Sequence, residues 1–226
     1  MKFLSKIIFS VGFVFSISIP IQAELLVVPA VKDWKPTEGK LTLSNAFSIQ
    51  NKSKNVIEID EIINLFSSDV KEISGLKPII NNNEKIVTVA ILFELDKNNV
   101  GLGNEGYKIE ITDKIIVKAY SFHGIFYATQ TLLQLIKINK GVLEKGVIID
   151  KPNFPTRSIM IDAGRRFYQV SYIQNLIRQM AWYKLNELHI HFTEWSAFRL
   201  KSDKYPGLAA DDSYSKEDIK IILATG

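Results

Sequence analysis

The spacing of hydrophobic positions changes near residue 150. Upstream of it, short apolar runs are separated by Asn, Lys and Gly. Residues 86–93, IVTVAILF, are continuously apolar and rich in β-branched side chains, which predicts a buried strand. Tyr107-Lys-Ile-Glu-Ile111 alternates strictly, the polar turn Thr112-Asp113-Lys114 follows, and residues 115–119 (IIVKA) resume the apolar pattern. That arrangement predicts a β-hairpin. The period then becomes helical over residues 124–137, where Ile125, Ala128, Leu132, Leu135 and Ile136 share one face. A second helix is expected over residues 59–70. Together these elements predict a small α+β domain over residues 24–150, a sheet with helices on one face, with Trp34 covering its core.

Past Lys151-Pro152-Asn153-Phe154-Pro155 the order becomes strand, helix, strand, helix. Residues 158–161 form an apolar run that ends in Asp162-Ala-Gly-Arg165-Arg166. Ile173, Leu176, Ile177, Met180 and Ala181 mark a helix, with Ser171 expected as its cap and Trp182 and Tyr183 as helix core. Residues 185–192 form the next strand, and Ser215-Lys-Glu-Asp218 opens another helix with a capping box. This βαβ order over residues 151–226 predicts a parallel sheet. The run Asn81-Asn82-Asn83 is expected to be a loop.

Composition narrows the class. With 226 residues, 46% of them hydrophobic and 23% charged, the chain is long enough for a real core and is not of disordered type. The net charge of +4 carries no clustered Lys or Arg, which excludes a nucleic-acid binder. Residues 1–23 read as a secretory leader: Lys2 and Lys6, an apolar stretch over residues 7–19, then Pro20 and a small residue, Ala23, at the cut. The stretch is shorter than the roughly 20 residues of a bilayer span. No later segment is long and apolar enough to cross a membrane. The chain has no cysteine, so disulfides, thiolate metal sites and cysteine nucleophiles are excluded. An exported chain without disulfides fits a bacterial periplasm or exterior.

The five arginines all lie between residues 157 and 199, whereas the 23 lysines are spread throughout. Arginine's rigid fork suits hydroxyl and carboxylate recognition, so the second region is expected to hold the site. Asp162 and Arg165 follow the end of its first strand; His189, His191, Thr193 and Glu194 come at the end of its second. Parallel α/β barrels build their sites at that end. A scaffold account also fits, with Asp162 capping a turn and Arg165 pairing with Glu194. His189 and His191 alternate along one strand, so both imidazoles face one side. Metal-binding barrel hydrolases share that spacing, but the remaining histidine, His123, lies in the first region, and His189 reads more simply as a hydrogen-bonded strand residue. Trp195, next to Glu194, offers either a face for a sugar ring or a packing contact.

These residues resemble a known family. Phe154-Pro-Thr-Arg157-Ser-Ile-Met-Ile-Asp162-Ala-Gly-Arg165 is similar to the first-strand motif of family 20 glycoside hydrolases, the β-N-acetylhexosaminidases. Lys184-Leu-Asn186-Glu-Leu-His189-Ile-His191 is similar to their second-strand motif. Gly106-Tyr107 and Gly124-Ile-Phe-Tyr127-Ala128-Thr-Gln130-Thr131-Leu132 resemble their accessory domain.

The resemblance implies an α/β fold: an α+β accessory domain followed by the first strands and helices of an incomplete (β/α)8 barrel. It implies removal of terminal N-acetylhexosamine from β-linked glycans by substrate-assisted, retaining catalysis, with no metal or organic cofactor. Arg165 falls where the family clasps the 3- and 4-hydroxyls of the terminal sugar, and His191 and Glu194 fall close by. Glu194-Trp195 stands where the family has Asp-Asp, and Ser158 where it has Gly. The catalytic Asp-Glu pair belongs to a later strand, in a Gly-Gly-Asp-Glu setting that this sequence does not contain. A barrel needs about 250 residues, so the chain is expected to be a fragment. The rival readings are a non-catalytic exported glycan-binding module and a different class of acetamido-sugar hydrolase.

Overall fold

The structure is a computed structural model that describes residues 25–53, 56–81 and 90–226. The expected leader over residues 1–23, residues 82 and 83 of the asparagine run, and residues 86–89 of the strand expected over 86–93 lie outside the described residues. No helix among the described residues is long and apolar enough to cross a membrane.

In chain order the elements of the first region are β1 (Asp33–Thr42), β2 (Ser48–Asn51), α1 (Ile57–Ser74), β3 (Ile79–Ile80), β4 (Ala90–Leu95), β5 (Tyr107–Ile111), β6 (Ile115–Ala119), α2 (Phe122–Ile138) and β7 (Val142–Asp150). Their strands form one mixed sheet in the order β1-β7-β5-β6-β4-β2-β3. The β5–β6 hairpin is antiparallel with Ile109 opposite Val117, as the alternation predicts. Its period of two sends Tyr107, Ile109, Ile111, Ile115, Val117 and Ala119 into the core. On the other face Lys108 pairs with Glu110, and Lys118 lies 3.4 Å from Glu94.

The helices cover the buried face. α2 packs on β4 to β7, and α1 packs on α2 and on β2 and β3. Ser121 caps α2 by accepting from the His123 amide at 3.1 Å, and Gly75 ends α1 in the left-handed region at φ 71°. Ile125, Ala128, Leu132, Leu135 and Ile136 are all buried, the face that the helical period picked out. Replacing Leu132, fully buried, with Ala would cost about 2–5 kcal/mol. Gly124 is needed for close approach: a Cβ there would collide with the Gly106 carbonyl. Trp34 is buried in this core, as expected.

The second region continues with β8 (Ser158–Asp162), α3 (Val170–Trp182), β9 (Glu187–His191), β10 (Thr193–Glu194), β11 (Ala197–Phe198) and α4 (Lys216–Leu223). β8 and β9 pair in parallel, Ser158 opposite Glu187 through Asp162 opposite His191. Ile161, Leu188 and Ile190 pack with Ile173 of α3 and Ile222 of α4 in a small core. Met160, Asp162, His189 and His191 therefore share the opposite face of this two-stranded parallel sheet. The Ser215 capping box is present in full.

Two local expectations fail. The helix α3 is preceded by Gln169, whose side chain makes no capping bond, and Ser171 lies inside it. Tyr183 is exposed rather than core, while Trp182 is half-buried against the core of the first region instead of its own.

Candidate functional site

The polar residues of the second region divide between the two ends of β8 and β9. At the C-terminal ends, Asp162 lies opposite His191, and the chain then turns so that Ala163 and Gly164 both donate to the His191 carbonyl, at 2.9 and 3.0 Å. Asp162 caps that turn by accepting from the Arg165 amide at 3.0 Å. Its other carboxylate oxygen lies 3.1 Å from Arg165 Nε. Arg165 Nη2 lies 3.3 Å from Glu194 Oε1, and His191 Nε2 approaches the same oxygen at 3.8 Å.

Arg165, His191 and Glu194 thus come together as a cluster. The scaffold contacts exist, and they aim the guanidinium outward: the Arg165 side chain is 68% exposed, against 25% for Asp162 and 22% for Glu194. Arginine carries five N–H donors, and two carboxylate contacts leave donors for a ligand. Gly164 lets the turn lie against the β10–β11 hairpin, since a Cβ there would sit 2.8 Å from the Glu194 amide nitrogen. Trp195 occupies the hairpin tip with its amide donating to Glu194 Oε2 at 3.2 Å. Its indole is 92% exposed, which removes the packing account among the described residues. His189 faces the same side one step lower, beside Met160, and is exposed without a side-chain hydrogen bond among the described residues. The expectation of a satisfied strand histidine is therefore not met there.

The other ends of the strands carry a second network, which faces the first region. Arg157 Nη1 pairs with Glu105 at 2.7 Å, and its Nε donates to the Lys184 carbonyl at 2.7 Å. Asn186 accepts from the Arg157 amide at 2.8 Å and donates to Pro155 and Glu105. Lys184 Nζ lies 2.9 Å from Asp150 and 2.7 Å from the Tyr107 hydroxyl, which in turn meets Thr131 at 2.6 Å. Burial pushes the Lys184 ammonium below the usual lysine range, with Asp150 opposing the shift. Burial also pushes the Tyr107 hydroxyl up, and the neighbouring Asp150 carboxylate adds to that.

Lys184 reaches this position at a backbone cost. It closes α3 in a Schellman arrangement, its amide donating to Ala181 and the Leu185 amide to Met180, and it takes φ 58° where Gly is usual. A cavity of about 180 Å³ opens beside Tyr107, Asp150, Arg157 and Lys184, at the opposite end of the strands from Arg165. In barrels the N-terminal ends of strands hold the fold together and the C-terminal ends carry the site. Arg157, Lys184 and Asn186 accordingly belong to the domain junction, and the cluster around Arg165 is the candidate site.

Sequence reasoning missed Arg199. It is buried, and its guanidinium donates to the carbonyls of Ala163 and Asp212, both at 3.0 Å. The available signal was its place as the last of the clustered arginines, just after the hairpin.

The model for glycosyl hydrolase family 20, domain 2, matches residues 24–151, and that for the family's catalytic domain matches residues 154–222. A beta-hexosaminidase of Porphyromonas gingivalis is 32% identical over 188 residues, 76% of this chain and 24% of that protein. The N,N'-diacetylchitobiase of Vibrio harveyi is 37% identical over 97 residues, 42% of this chain and 11% of that one. Among solved structures, the N-acetyl-beta-hexosaminidase of Streptomyces plicatus superposes with a TM-score of 0.76 at 21% identity, covering 88% of this chain and 43% of that one. The beta-N-acetylhexosaminidase of Bacteroides fragilis gives 0.72 at 26%, covering 88% and 42%. The matched part of the chain spans between about a tenth and a quarter of the length of these curated relatives. With one family model spanning its first domain and another its second, and the two sets of motif residues sorted to opposite ends of the same strands, the chain belongs to glycosyl hydrolase family 20.

Proposed function

We propose that these residues are the amino-terminal part of an exported β-N-acetylhexosaminidase that releases terminal N-acetylglucosamine or N-acetylgalactosamine from β-linked glycans. Arg165 grips two neighbouring hydroxyls of the terminal sugar with its forked donors. Glu194 holds that fork in place, and His191 shares the same carboxylate oxygen. The chemistry is substrate-assisted and retaining. The sugar's own acetamido oxygen attacks C1, a glutamic acid protonates the departing oxygen, and an aspartate beside it orients the acetamido group. That Asp-Glu pair comes from a later strand. The Asp60-Glu61 pair present here lies on α1, where Asp60 accepts from Asn51 at 2.8 Å, a contact within the first region.

One observation carries the reading: a guanidinium fixed between Asp162, at the C-terminal end of β8, and Glu194, on the β10–β11 hairpin that directly follows β9, and still 68% exposed. The test is turnover of an aryl N-acetyl-β-glucosaminide. The 226-residue chain alone is expected to give none, and an enzyme carrying the whole barrel is expected to turn it over and to lose activity on Arg165→Ala. Turnover by the 226-residue chain that Arg165→Ala abolishes would show that the catalytic carboxylates have been misplaced.

A further inference from the structure

Arg165 is presented by a very short turn, and something must fix the direction in which that turn leaves the strand. The Ala163 and Gly164 amides are taken by the His191 carbonyl, so one side of the turn is tied to β9. Their carbonyls face the other way. The Ala163 carbonyl accepts from Arg199 Nε at 3.0 Å, and the Gly164 carbonyl from Arg199 Nη2 at 3.5 Å and from Ser196 Oγ at 3.2 Å. The third arm of the fork, Nη1, donates to the Asp212 carbonyl at 3.0 Å and pairs with the Asp212 carboxylate. The Arg199 backbone is itself held, its amide donating to Phe192 at 2.9 Å and its carbonyl accepting from Tyr214 at 2.8 Å.

We infer that Arg199 is a positioning residue for sugar recognition: it clamps the two carbonyls immediately before Arg165 and so sets where the Arg165 guanidinium stands. Only a planar fork with donors in three directions can span Ala163, Gly164 and Asp212 at once; a lysine ammonium in the same place reaches one of them well. Because Arg199 is buried and Arg165 is exposed, the clamp acts through the backbone and not through contact with the sugar. Small displacements of a recognising group are enough to matter, since geometry within about 0.5 Å is needed to hold a site in its working arrangement.

This inference rests on the reading that Arg165 binds the terminal sugar, and a double-mutant cycle separates the two. In an enzyme carrying the whole barrel, kcat/KM is measured for the parent, Arg199→Lys, Arg165→Ala and the double variant. Arg199→Lys is expected to lower kcat/KM roughly tenfold in the parent and less than about twofold once Arg165 is already Ala, because interacting groups are not additive. Asp212→Asn, at a residue more than half exposed, loosens the same fork without opening a cavity and is expected to give a smaller loss with the same dependence on Arg165. Equal fold losses from Arg199→Lys and Asp212→Asn in both backgrounds would mean a general structural effect and overturn the inference. No loss from either would overturn it too. Unchanged kcat/KM in Arg165→Ala alone would instead remove the functional reading itself, and the inference with it.

Discussion

Arg165 and Glu194 lie 29 positions apart in the chain, yet their side chains meet at 3.3 Å because β8 and β9 are parallel neighbours that end side by side. An ion pair this exposed contributes little to stability, about 0–1 kcal/mol. Glu194→Ala is therefore expected to leave the thermal midpoint within a few degrees of the parent while lowering kcat/KM in an enzyme with the whole barrel. Glu194→Asp, one methylene shorter, is expected to keep part of the activity. A melt that falls as steeply as activity would assign Glu194 to the scaffold.

The domain junction predicts the reverse pattern. Lys184 and Asp150 form a buried pair at 2.9 Å, with both side chains 10% exposed or less. Removing one partner strands the other charge, so Lys184→Met is expected to destabilise the chain by about 3–5 kcal/mol in urea unfolding. The double variant Lys184→Met/Asp150→Leu is expected to be more stable than Lys184→Met alone, since neither charge is left buried. A double variant weaker than either single would contradict this account of the junction.

A capping box links stability to pH at α4. The Ser215 hydroxyl hydrogen bond holds the Asp218 carboxyl below the usual carboxylate range, with the Ser215 amide helping. A carboxylate whose pKa is lower folded than unfolded contributes stability that is present above the unfolded pKa, roughly 4, and lost as pH falls through the folded value. Ser215→Ala is expected to cost about 0.5–2 kcal/mol at neutral pH. The gap from the parent should narrow in unfolding curves taken below about pH 4. A gap that is constant with pH would place the effect elsewhere.

Trp195 gives a prediction of no change. With its indole 92% exposed, it buries almost no apolar surface, so Trp195→Ala is expected to leave the thermal midpoint of the 226-residue chain unaltered. A clear drop would mean that the indole packs after all.

Much of the fold is legible in the sequence where one face is buried. Strict alternation over Tyr107–Ile111 follows from a single covered face, whereas inside Phe122–Ile138 the apolar period marks only part of what is buried, since residues 127–136 are covered all round by the sheet, α1 and α3. β1 escapes that logic. It is an edge strand, mostly exposed, with Pro36 and Gly39 beside a bulge, and it is held by pairing with β7 rather than by any apolar stripe. The start of α3 was hidden for a different reason: a serine near a helix start signals a cap only if the backbone turns there, and here it has already turned at Gln169. At the site, the ends of β8 and β9 were readable because strand ends can be counted. The division of labour was not. Lys184 finds Tyr107 across 77 positions and Arg199 finds Ala163 across 36, and no local pattern encodes such contacts.

Arg165, and not its neighbour, is the residue proposed to meet the sugar. Arg166 is also exposed, but its guanidinium lies 5.8 Å over the Tyr168 ring, away from the Asp162 and Glu194 carboxylates that aim Arg165. The measurement is kcat/KM on an aryl N-acetyl-β-glucosaminide for Arg165→Ala and Arg166→Ala, in an enzyme carrying the whole barrel. Loss of a charge-assisted hydrogen bond costs about 1.5–3 kcal/mol, so Arg165→Ala is expected to fall roughly ten- to a hundredfold or more, with an unchanged thermal melt. Arg165→Lys should recover little and Arg166→Ala should stay near the parent. Equal losses at the two arginines, or a loss at Arg165 matched by unfolding, would contradict the account.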